Sequence, residues 1–143
     1  MHRHPKVEDI EFHLRKISVL IRHHTRELLS QHQLTLPQYY ALLHLRNQKL
    51  TMGELCANLY LASSTVTDLV DRMEKMNFVQ RIRDEEDRRV IRLQILPGGE
   101  EIIRKVMEDR MIFLSKKLKQ LDQEKVLMLL DALADLHALI ESD

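Results

Sequence analysis

The run Ser63-Ser64-Thr65-Val66-Thr67-Asp68-Leu69-Val70-Asp71-Arg72 is the most informative stretch of this chain. From Val66 onward its apolar residues recur at i, i+3, i+4 and i+7, which is the period of a helix with one buried face. Hydroxyls, an acid and an arginine occupy the other face. Upstream, Thr51 and Glu54 have the spacing of a capping box, which marks the start of an earlier helix. Residues 51–76 therefore predict a helix-turn-helix.

Two alternating segments follow this run and enclose a charged turn. Residues 79–83 and 90–95 alternate apolar and charged side chains, as half-buried strands do. Asp87 stands two residues before Arg89 in the turn, so its carboxylate is placed to hold the guanidinium in the fork geometry that arginine favours. An arginine held extended at a hairpin tip fits a narrow minor groove, where the potential is most negative. A solvated, self-neutralising turn is the alternative interpretation of the same residues.

The remainder of the chain predicts long helices, because only three Gly and three Pro interrupt 143 residues. Helical periodicity predicts a first helix over 7–30, and Thr35 with Gln38 forms a second capping box before another helix. Glu100 marks the start of a long fifth helix, and Asp122 caps a sixth. The first and the last two helices carry more apolar surface than a small DNA-binding lobe needs, which favours a dimerisation layer.

Charge and hydropathy limit the classes of protein. The 22 Lys and Arg balance the 22 Asp and Glu, so the net charge gives no argument for nucleic acid. Basic residues nevertheless concentrate in 1–50, with eight against four acidic, and in 72–92, with seven against five. This distribution gives modest support for a DNA-facing side, since Lys and Arg neutralise phosphates. No apolar run is long enough for a membrane span or a signal peptide, and a cytoplasmic protein is expected.

Other chemistries find less support in the residues. A single cysteine, Cys56, excludes an intramolecular disulfide and is predicted to be a buried thiol. The eight histidines lack metal-ligand spacing, which argues against a metal site. A metal-responsive regulator remains the alternative if His13, His44 or Glu27 converge in the folded protein. No glycine-rich phosphate loop or nucleophile motif occurs, so neither an enzyme nor a bound cofactor is predicted. The remaining alternative is a helical protein-interaction module that does not touch DNA.

The order of elements resembles the MarR family of winged helix-turn-helix regulators. The resembling residues are Leu34-Thr35-Leu36-Pro37-Gln38, Met52-Gly53-Glu54-Leu55, the run from Ser63 to Glu74, Phe78-Val79-Gln80-Arg81, and the Asp87-x-Arg89-x-x-Arg92 pattern. The resemblance implies a mostly α fold of about six helices in a single domain over 1–143. Within it, a winged helix-turn-helix lobe with a small β-hairpin wing covers 35–96, and dimerisation helices cover 7–34 and 100–142.

The resemblance also implies a function. Members of the family are homodimers that bind palindromic operators in duplex DNA, and most are repressors released by a small-molecule ligand. Residue chemistry and resemblance together predict DNA contacts by the second helix of the motif and by the wing, namely Ser63, Ser64, Thr65, Thr67, Asp68, Arg72, Arg83, Asp87, Arg88, Arg89 and Arg92. Asp68 departs from the family, in which this position is commonly basic or small. Its carboxylate is suited to accept a hydrogen bond from cytosine N4.

Overall fold

The computed structural model describes residues 4–143. These residues form six helices and three short strands, which confirms the mostly α winged helix-turn-helix fold. The order is α1 (Val7–Ser30), α2 (Leu36–Leu45), β1 (Leu50–Thr51), α3 (Met52–Leu59), α4 (Ser63–Lys75), β2 (Val79–Arg83), β3 (Ile91–Ile95), α5 (Pro97–Leu118) and α6 (Gln123–Glu141).

Side-chain caps define where three of the helices begin. At α2 the hydroxyl of Thr35 accepts from the Gln38 N–H, and the Gln38 side chain accepts from the Thr35 N–H at 3.0 Å, so the predicted capping box is confirmed. At α6 the carboxylate of Asp122 accepts from the Lys125 N–H, as predicted. Such caps satisfy N–H groups that have no partner within the helix.

The box predicted at α3 forms only in part. The hydroxyl of Thr51 accepts from the Glu54 N–H at 3.1 Å, which is the capping half of the box. The Glu54 carboxylate instead lies 3.6 Å from a guanidinium nitrogen of Arg92 on β3. An ion pair with the sheet therefore takes the place of the return bond, because β3 brings a cation within reach of the helix start.

The C-terminal end of α4 has a left-handed cap. Asn77 has φ 60°, and the Phe78 N–H donates to the Met73 carbonyl at 2.9 Å. Asparagine tolerates this region better than most residues, and the following apolar residue commonly packs back on the helix. The chain consequently turns sharply from α4 into β2.

Helix α5 begins at Pro97, earlier than the predicted start at Glu100. Proline suits the first turn because its missing N–H would have no helical partner there. Gly99 explains how this turn packs so closely, since a Cβ added to it would lie 2.5 Å from the Phe78 carbonyl oxygen and 2.8 Å from Ile95 Cγ1. The first turn of α5 therefore rests directly on the junction between α4 and β2.

The three strands form one antiparallel sheet with β3 in the middle. Val79 pairs with Ile95 and Arg83 with Ile91, which gives the predicted wing hairpin. On the other edge Leu50 pairs with Leu93, and this two-residue strand was not predicted. The sheet is thereby anchored to the start of α3, so the wing and the helix-turn-helix share one framework.

The chain divides into two compact units, one ending at Met107 and one formed by Glu108–Asp143. In the first unit the hydrophobic core surrounds α2, whose Tyr39, Leu42 and Leu45 are almost completely buried. The apolar face of α4 joins the same core. Helix α2 therefore lies at the centre of this unit and gives the helix-turn-helix a rigid base.

Helix α1 contributes little to the core of the first unit. Its buried residues are Thr25, Leu28 and Leu29, all near its C-terminal end. Farther toward its N-terminal end, the apolar residues Ile10 and Ile17 are exposed. Most of this helix therefore presents apolar side chains that the chain itself does not cover.

In the second unit, α6 has no buried residue. Its large exposed apolar side chains are Leu127, Met128, Leu129, Leu130, Leu133, Leu139 and Ile140. Contiguous apolar surface of this kind usually marks an interaction site. Across residues 4–143, no helix combines the length and the apolar character needed to cross a bilayer.

Candidate nucleic-acid interface

Helix α4 has a buried face and an exposed polar face, as its sequence predicts. Val66, Leu69, Val70 and Met73 are buried in the core of the first unit. The polar side chains that were predicted to contact DNA lie opposite, with Ser63, Ser64, Thr65, Asp68 and Arg72 exposed and Thr67 half-buried.

The N-terminal end of α4 differs from those of α2, α3 and α6. Ala62 occupies its N-cap and makes no side-chain hydrogen bond to the helix. The first N–H groups of α4 are consequently available to solvent or to an anion, and a helix N-terminus favours a phosphate oxygen. Farther along, the Thr67 hydroxyl donates to the Ser63 carbonyl at 2.9 Å, which leaves its oxygen as the free group.

A shallow groove of about 240 Å³ runs beside the exposed face of α4. Thr65, Asp68 and Arg72 line one side of it, and the first turn of α2 with Thr35 and Pro37 lines the other. The groove brings one hydroxyl, one carboxylate and one guanidinium of the predicted site together. Its shallow, open shape suits contact along a nucleic-acid strand more than enclosure of a small molecule.

The wing tip holds Arg89 in the arrangement predicted from its spacing to Asp87. Nε and Nη2 of Arg89 donate to the two carboxylate oxygens of Asp87, each at 3.1 Å. The Arg89 N–H also donates to Asp87 Oδ1 at 3.1 Å. The Arg89 side chain is nevertheless 90% exposed. The fork limits the motion of the guanidinium without burying it.

Proton equilibria at the tip reflect this pairing. The hydrogen bond from Arg89 holds the pKa of Asp87 below its usual range, and the bond to Asp87 raises the pKa of Arg89. Both groups are therefore charged near neutral pH. The tip presents an exposed cation held by the carboxylate of Asp87.

Arg92 lies at the base of the wing and differs from Arg89 in its surroundings. Its Nε donates to Asp84 Oδ2 at 2.7 Å, and Glu54 on α3 lies 3.6 Å away. The hydrogen bond between Arg92 and Asp84 lowers the pKa of Asp84 and raises the pKa of Arg92. This half-buried arginine connects β3, the wing turn and the start of α3. That position favours a role in holding the wing over a direct contact with DNA.

A second ion-pair cluster connects α4 to β2, and sequence analysis missed it. Arg81 Nη2 donates to Asp71 at 2.8 Å, and Arg81 also pairs with Glu74 through its side chain and its backbone N–H. The hydrogen bond to Asp71 is the largest cause of the raised pKa of Arg81. Asp71 and Glu74 stand three residues apart on one helical face, which is the only signal that the sequence carried.

Three further arginines of the predicted site make no ion pair within residues 4–143. Arg72, Arg83 and Arg88 are all exposed, on α4, at the end of β2 and in the wing turn, respectively. Cations without an internal carboxylate partner are the ones that can neutralise phosphates at least cost. Together with Arg89 they give the first unit a basic surface that the zero net charge conceals.

The described residues give little support to the other chemistries. No group of three His, Cys, Asp or Glu side chains in residues 4–143 is arranged to hold a metal ion. Cys56 is half-buried and packs against the core of the first unit. One of the eight histidines, His2, lies outside the described residues.

A helix-turn-helix joined to a hairpin with an exposed, carboxylate-held arginine defines a winged helix-turn-helix DNA-binding protein. The family model described as MarR family matches residues 32–90. The helix-turn-helix-type transcriptional regulator YsmB of Bacillus subtilis (strain 168) is 42% identical over 121 residues, which are 84% of this chain and 83% of that protein. The chain therefore belongs to the MarR family and is a DNA-binding transcription regulator.

Two solved structures are similar to the fold. A MarR family protein from Bacillus stearothermophilus is 37% identical with a TM-score of 0.88, over 99% of each chain. The transcriptional regulator Tm0710 from Thermotoga maritima is 34% identical with a TM-score of 0.82, over 94% of this chain and 96% of that one. The likeness thus covers nearly the full length and includes the helices outside the DNA-binding lobe.

Proposed function

We propose that this protein is a homodimeric, sequence-specific transcriptional repressor that a small-molecule ligand releases from DNA. It acts by binding and has no catalytic role, and its place is the cytoplasm, where bacterial DNA lies. The observation that carries the DNA-binding part is the Asp87–Arg89 fork, because it holds an exposed guanidinium at the tip of a hairpin.

The two DNA-binding elements would contact different grooves. A recognition helix fits the major groove, which is about 12 Å wide and shows a distinct pattern of donors and acceptors for each base pair. The exposed hydroxyls at the start of α4 and the guanidinium of Arg72 support that placement. Arg89 is suited to the adjacent minor groove, where a narrow A·T-rich segment attracts an extended cation.

The central experiment measures affinity for the DNA upstream of the protein's own gene by fluorescence anisotropy. We expect Arg89→Ala to weaken binding by about tenfold or more, since an arginine contact in a groove contributes roughly 1–3 kcal/mol. Asp87→Asn removes only the carboxylate that orders Arg89 and should cost about two- to tenfold, the range expected for fixing one long side chain.

Lys116→Ala is the charge-matched control, because Lys116 is an exposed lysine on α5 outside the DNA-binding elements. It should bind as the wild type does. If Arg89→Ala and Lys116→Ala bind equally well, the wing has no part in DNA binding. Affinity of the wild type should also fall steeply with salt, because several phosphates are neutralised.

A palindromic operator follows if two copies bind together. One recognition helix per subunit must reach the same face of the duplex, so the half-sites should lie one helical turn apart, about 10–10.5 bp. The exposed apolar faces of α1 and α6 support a homodimer as the binding species. Footprinting should show two protected half-sites, and protection of a single unpaired half-site would contradict this part of the proposal.

Release by a ligand rests mainly on family resemblance, with one supporting feature. The Tyr39 side chain is 1% exposed, and its hydroxyl has no hydrogen-bond partner within residues 4–143. A buried unpaired hydroxyl is costly, and a ligand carrying an acceptor would satisfy it. A screen for compounds that dissociate the DNA complex tests the idea. A hit should lose potency in Tyr39→Phe if this hydroxyl takes part.

A further inference from the structure

Tyr60 is unusual in both conformation and exposure. It lies in the turn between α3 and α4 with φ 56° and ψ 38°, in the left-handed region. Tyr60 is one of the large apolar residues on the surface, and it is 93% exposed to solvent. Residues other than glycine, asparagine and aspartate rarely adopt this conformation, and it is strained for a side chain as large as that of tyrosine.

The fold explains the conformation of Tyr60 but not its aromatic ring. The Tyr60 N–H donates to the Ala57 carbonyl, and the Leu61 N–H donates to the Cys56 carbonyl at 3.3 Å. This pattern is a Schellman motif, which needs a left-handed residue and most often uses glycine. Turns of helix-turn-helix motifs likewise often contain glycine. A glycine would therefore serve the backbone at Tyr60 better than tyrosine does.

No polar or ring contact among residues 4–143 accounts for the Tyr60 side chain. Among residues 4–143, the Tyr60 hydroxyl makes no hydrogen bond and its ring makes no aromatic or cation–π contact. Of the four non-glycine residues with positive φ in that range, Lys6, Gln33, Tyr60 and Asn77, it is the one aromatic residue. A strained residue whose ring makes no such contact is typical of a binding position.

The position of Tyr60 relative to α4 limits what its ring can touch. It precedes Ser63 by three positions, so the two Cα atoms lie within about 11 Å of each other. The N-terminal residues of a recognition helix are the ones placed in the major groove. Because that groove is only about 12 Å wide, the sugar-phosphate backbone on its edge lies about 6 Å from its centre. A tyrosine hydroxyl at the turn is therefore within reach of that backbone.

We propose that Tyr60 is a DNA-contacting residue whose hydroxyl donates a hydrogen bond to a phosphate oxygen at the edge of the major groove. The contact is independent of base sequence and helps to fix the depth and angle of α4. This inference rests on the proposed DNA-binding function and adds a contact that neither the recognition helix nor the wing supplies. The strained turn lowers the folding stability of the protein. The exposed phenol offsets this loss because it strengthens DNA binding.

Two variants separate binding from stability. Tyr60→Gly removes the side chain and relieves the left-handed strain, so its melting temperature should equal or exceed that of the wild type. Its affinity for DNA should nevertheless fall by about tenfold, since a hydrogen bond to a charged group is stronger than one between neutral groups. Tyr60→Phe keeps the ring and should lose most of the same affinity. Tyr40→Phe removes a phenol hydroxyl from α2 and is the matched control.

A phosphate contact by a neutral residue has a particular signature. Tyr60→Phe should weaken binding to operator and scrambled duplexes by the same factor and leave the slope of log affinity against log salt unchanged. Arg88→Ala should instead reduce that slope. In a set of duplexes with single methylphosphonate substitutions, one position should weaken the wild type but have no further effect on Tyr60→Phe.

Three outcomes would overturn the inference. Tyr60→Gly and Tyr60→Phe that bind like the wild type exclude the contact while leaving the proposed DNA-binding function intact. A loss confined to operator DNA assigns Tyr60 to a base and contradicts the phosphate contact. Wild-type protein that binds neither duplex at low salt contradicts the proposed function itself, and the inference with it.

Discussion

Arginines of the recognition helix and the wing fall into two groups at the scale of single residues. Arg81, Arg89 and Arg92 pair with carboxylates, whereas Arg72, Arg83 and Arg88 have no such partner within residues 4–143. Paired arginines have a fixed geometry and a reduced entropy cost when they bind, and unpaired ones offer full charge. The wing combines both kinds, so it can position a cation in a groove and neutralise phosphates beside it.

A titration tests the pairing of Asp84 with Arg92. The folded-state pKa of Asp84 is lowered, so its contribution to stability is complete above the unfolded value of about 3.9 and is lost as the pH falls through the folded value. The wing base should thus keep its structure from pH 8 to 5 and loosen below about pH 3.9. Carboxyl chemical shifts should place the Asp84 midpoint below that value, and Arg92→Gln should raise it.

Asp87 provides an internal control for that measurement. Its lowered pKa depends first on Arg89, so Arg92→Gln should leave its midpoint depressed. An Asp84 midpoint that is the same with and without Arg92 would show that the ion pair does not form in solution.

Local spacing explains which side-chain contacts were predicted from the sequence. Asp87 and Arg89 are two residues apart, so their pairing depends only on the turn between them. Arg81 and Asp71 are brought together by the reversal of the chain after α4, and no rule of sequence spacing predicts that contact. The ion pair of Arg92 with Glu54 likewise depends on how the sheet joins α3. Nonlocal pairs need the tertiary fold before they can be named.

At the scale of elements, helices were predicted well and the sheet only in part. Capping residues and apolar periodicity are properties of neighbouring residues, so Thr35 and Asp122 marked helix starts correctly. Strand β1 has two residues, too few to show an alternating pattern, and exists because β3 lies beside it. The early start of α5 depends on close packing at Gly99, which only the tertiary structure shows.

Two glycine substitutions should change the free energy of unfolding in opposite directions. Gly99→Ala places a Cβ 2.5 Å from the Phe78 carbonyl oxygen, so the start of α5 must shift, and overpacking of this kind costs about 1–3 kcal/mol. Gly53 lies in α3, where a Cβ added to it would lie 4.0 Å from Thr51 Oγ1, so Gly53→Ala should raise the free energy of unfolding by up to about 1 kcal/mol. Urea denaturation measures both changes. Equal effects of the two variants would contradict the packing at Gly99.

Arg81 should couple the recognition helix to the wing. Arg81→Lys keeps the charge but loses the forked contact with Asp71 and Glu74, which are partly exposed. We expect a loss of about 1 kcal/mol in the free energy of unfolding, discounted for solvent, and a difference that shrinks in 1 M salt. Arg83→Lys is the control, since it lies two residues away on β2 without an ion pair. Indistinguishable stabilities of the two variants would exclude the coupling.

At the scale of the whole molecule, the exposed apolar faces are the feature that a single chain leaves unexplained. Ile17 on α1 is 52% exposed and Leu130 on α6 is 64% exposed, among many similar neighbours. Monomeric proteins seldom show contiguous apolar patches of this size. Obligate homodimer interfaces are apolar and resemble a divided core. A second copy is consequently the partner that we propose for both faces.

The dimer and DNA affinity should be lost together. We expect Leu130→Glu and Ile17→Glu to sediment as monomers, because each places a charge in an apolar interface, whereas Asn47→Asp adds a charge at an exposed position outside α1 and α6 and should remain dimeric. Linking two binding modules raises affinity by about 10²–10⁴-fold without any new contact. The monomeric variants should therefore bind a palindromic operator no more tightly than a single half-site, although their recognition helix and wing are unchanged.

Sedimentation and anisotropy on the same samples distinguish the two causes of weak binding. A monomeric variant whose affinity for one half-site equals that of the wild type has lost only the link between two intact DNA-binding lobes. A variant that stays dimeric and binds the palindrome normally would show that these apolar faces serve another partner. In the proposed dimer both lobes engage the operator at once, so we expect a ligand or mutation that changes the spacing between them to release DNA without touching a single contact residue.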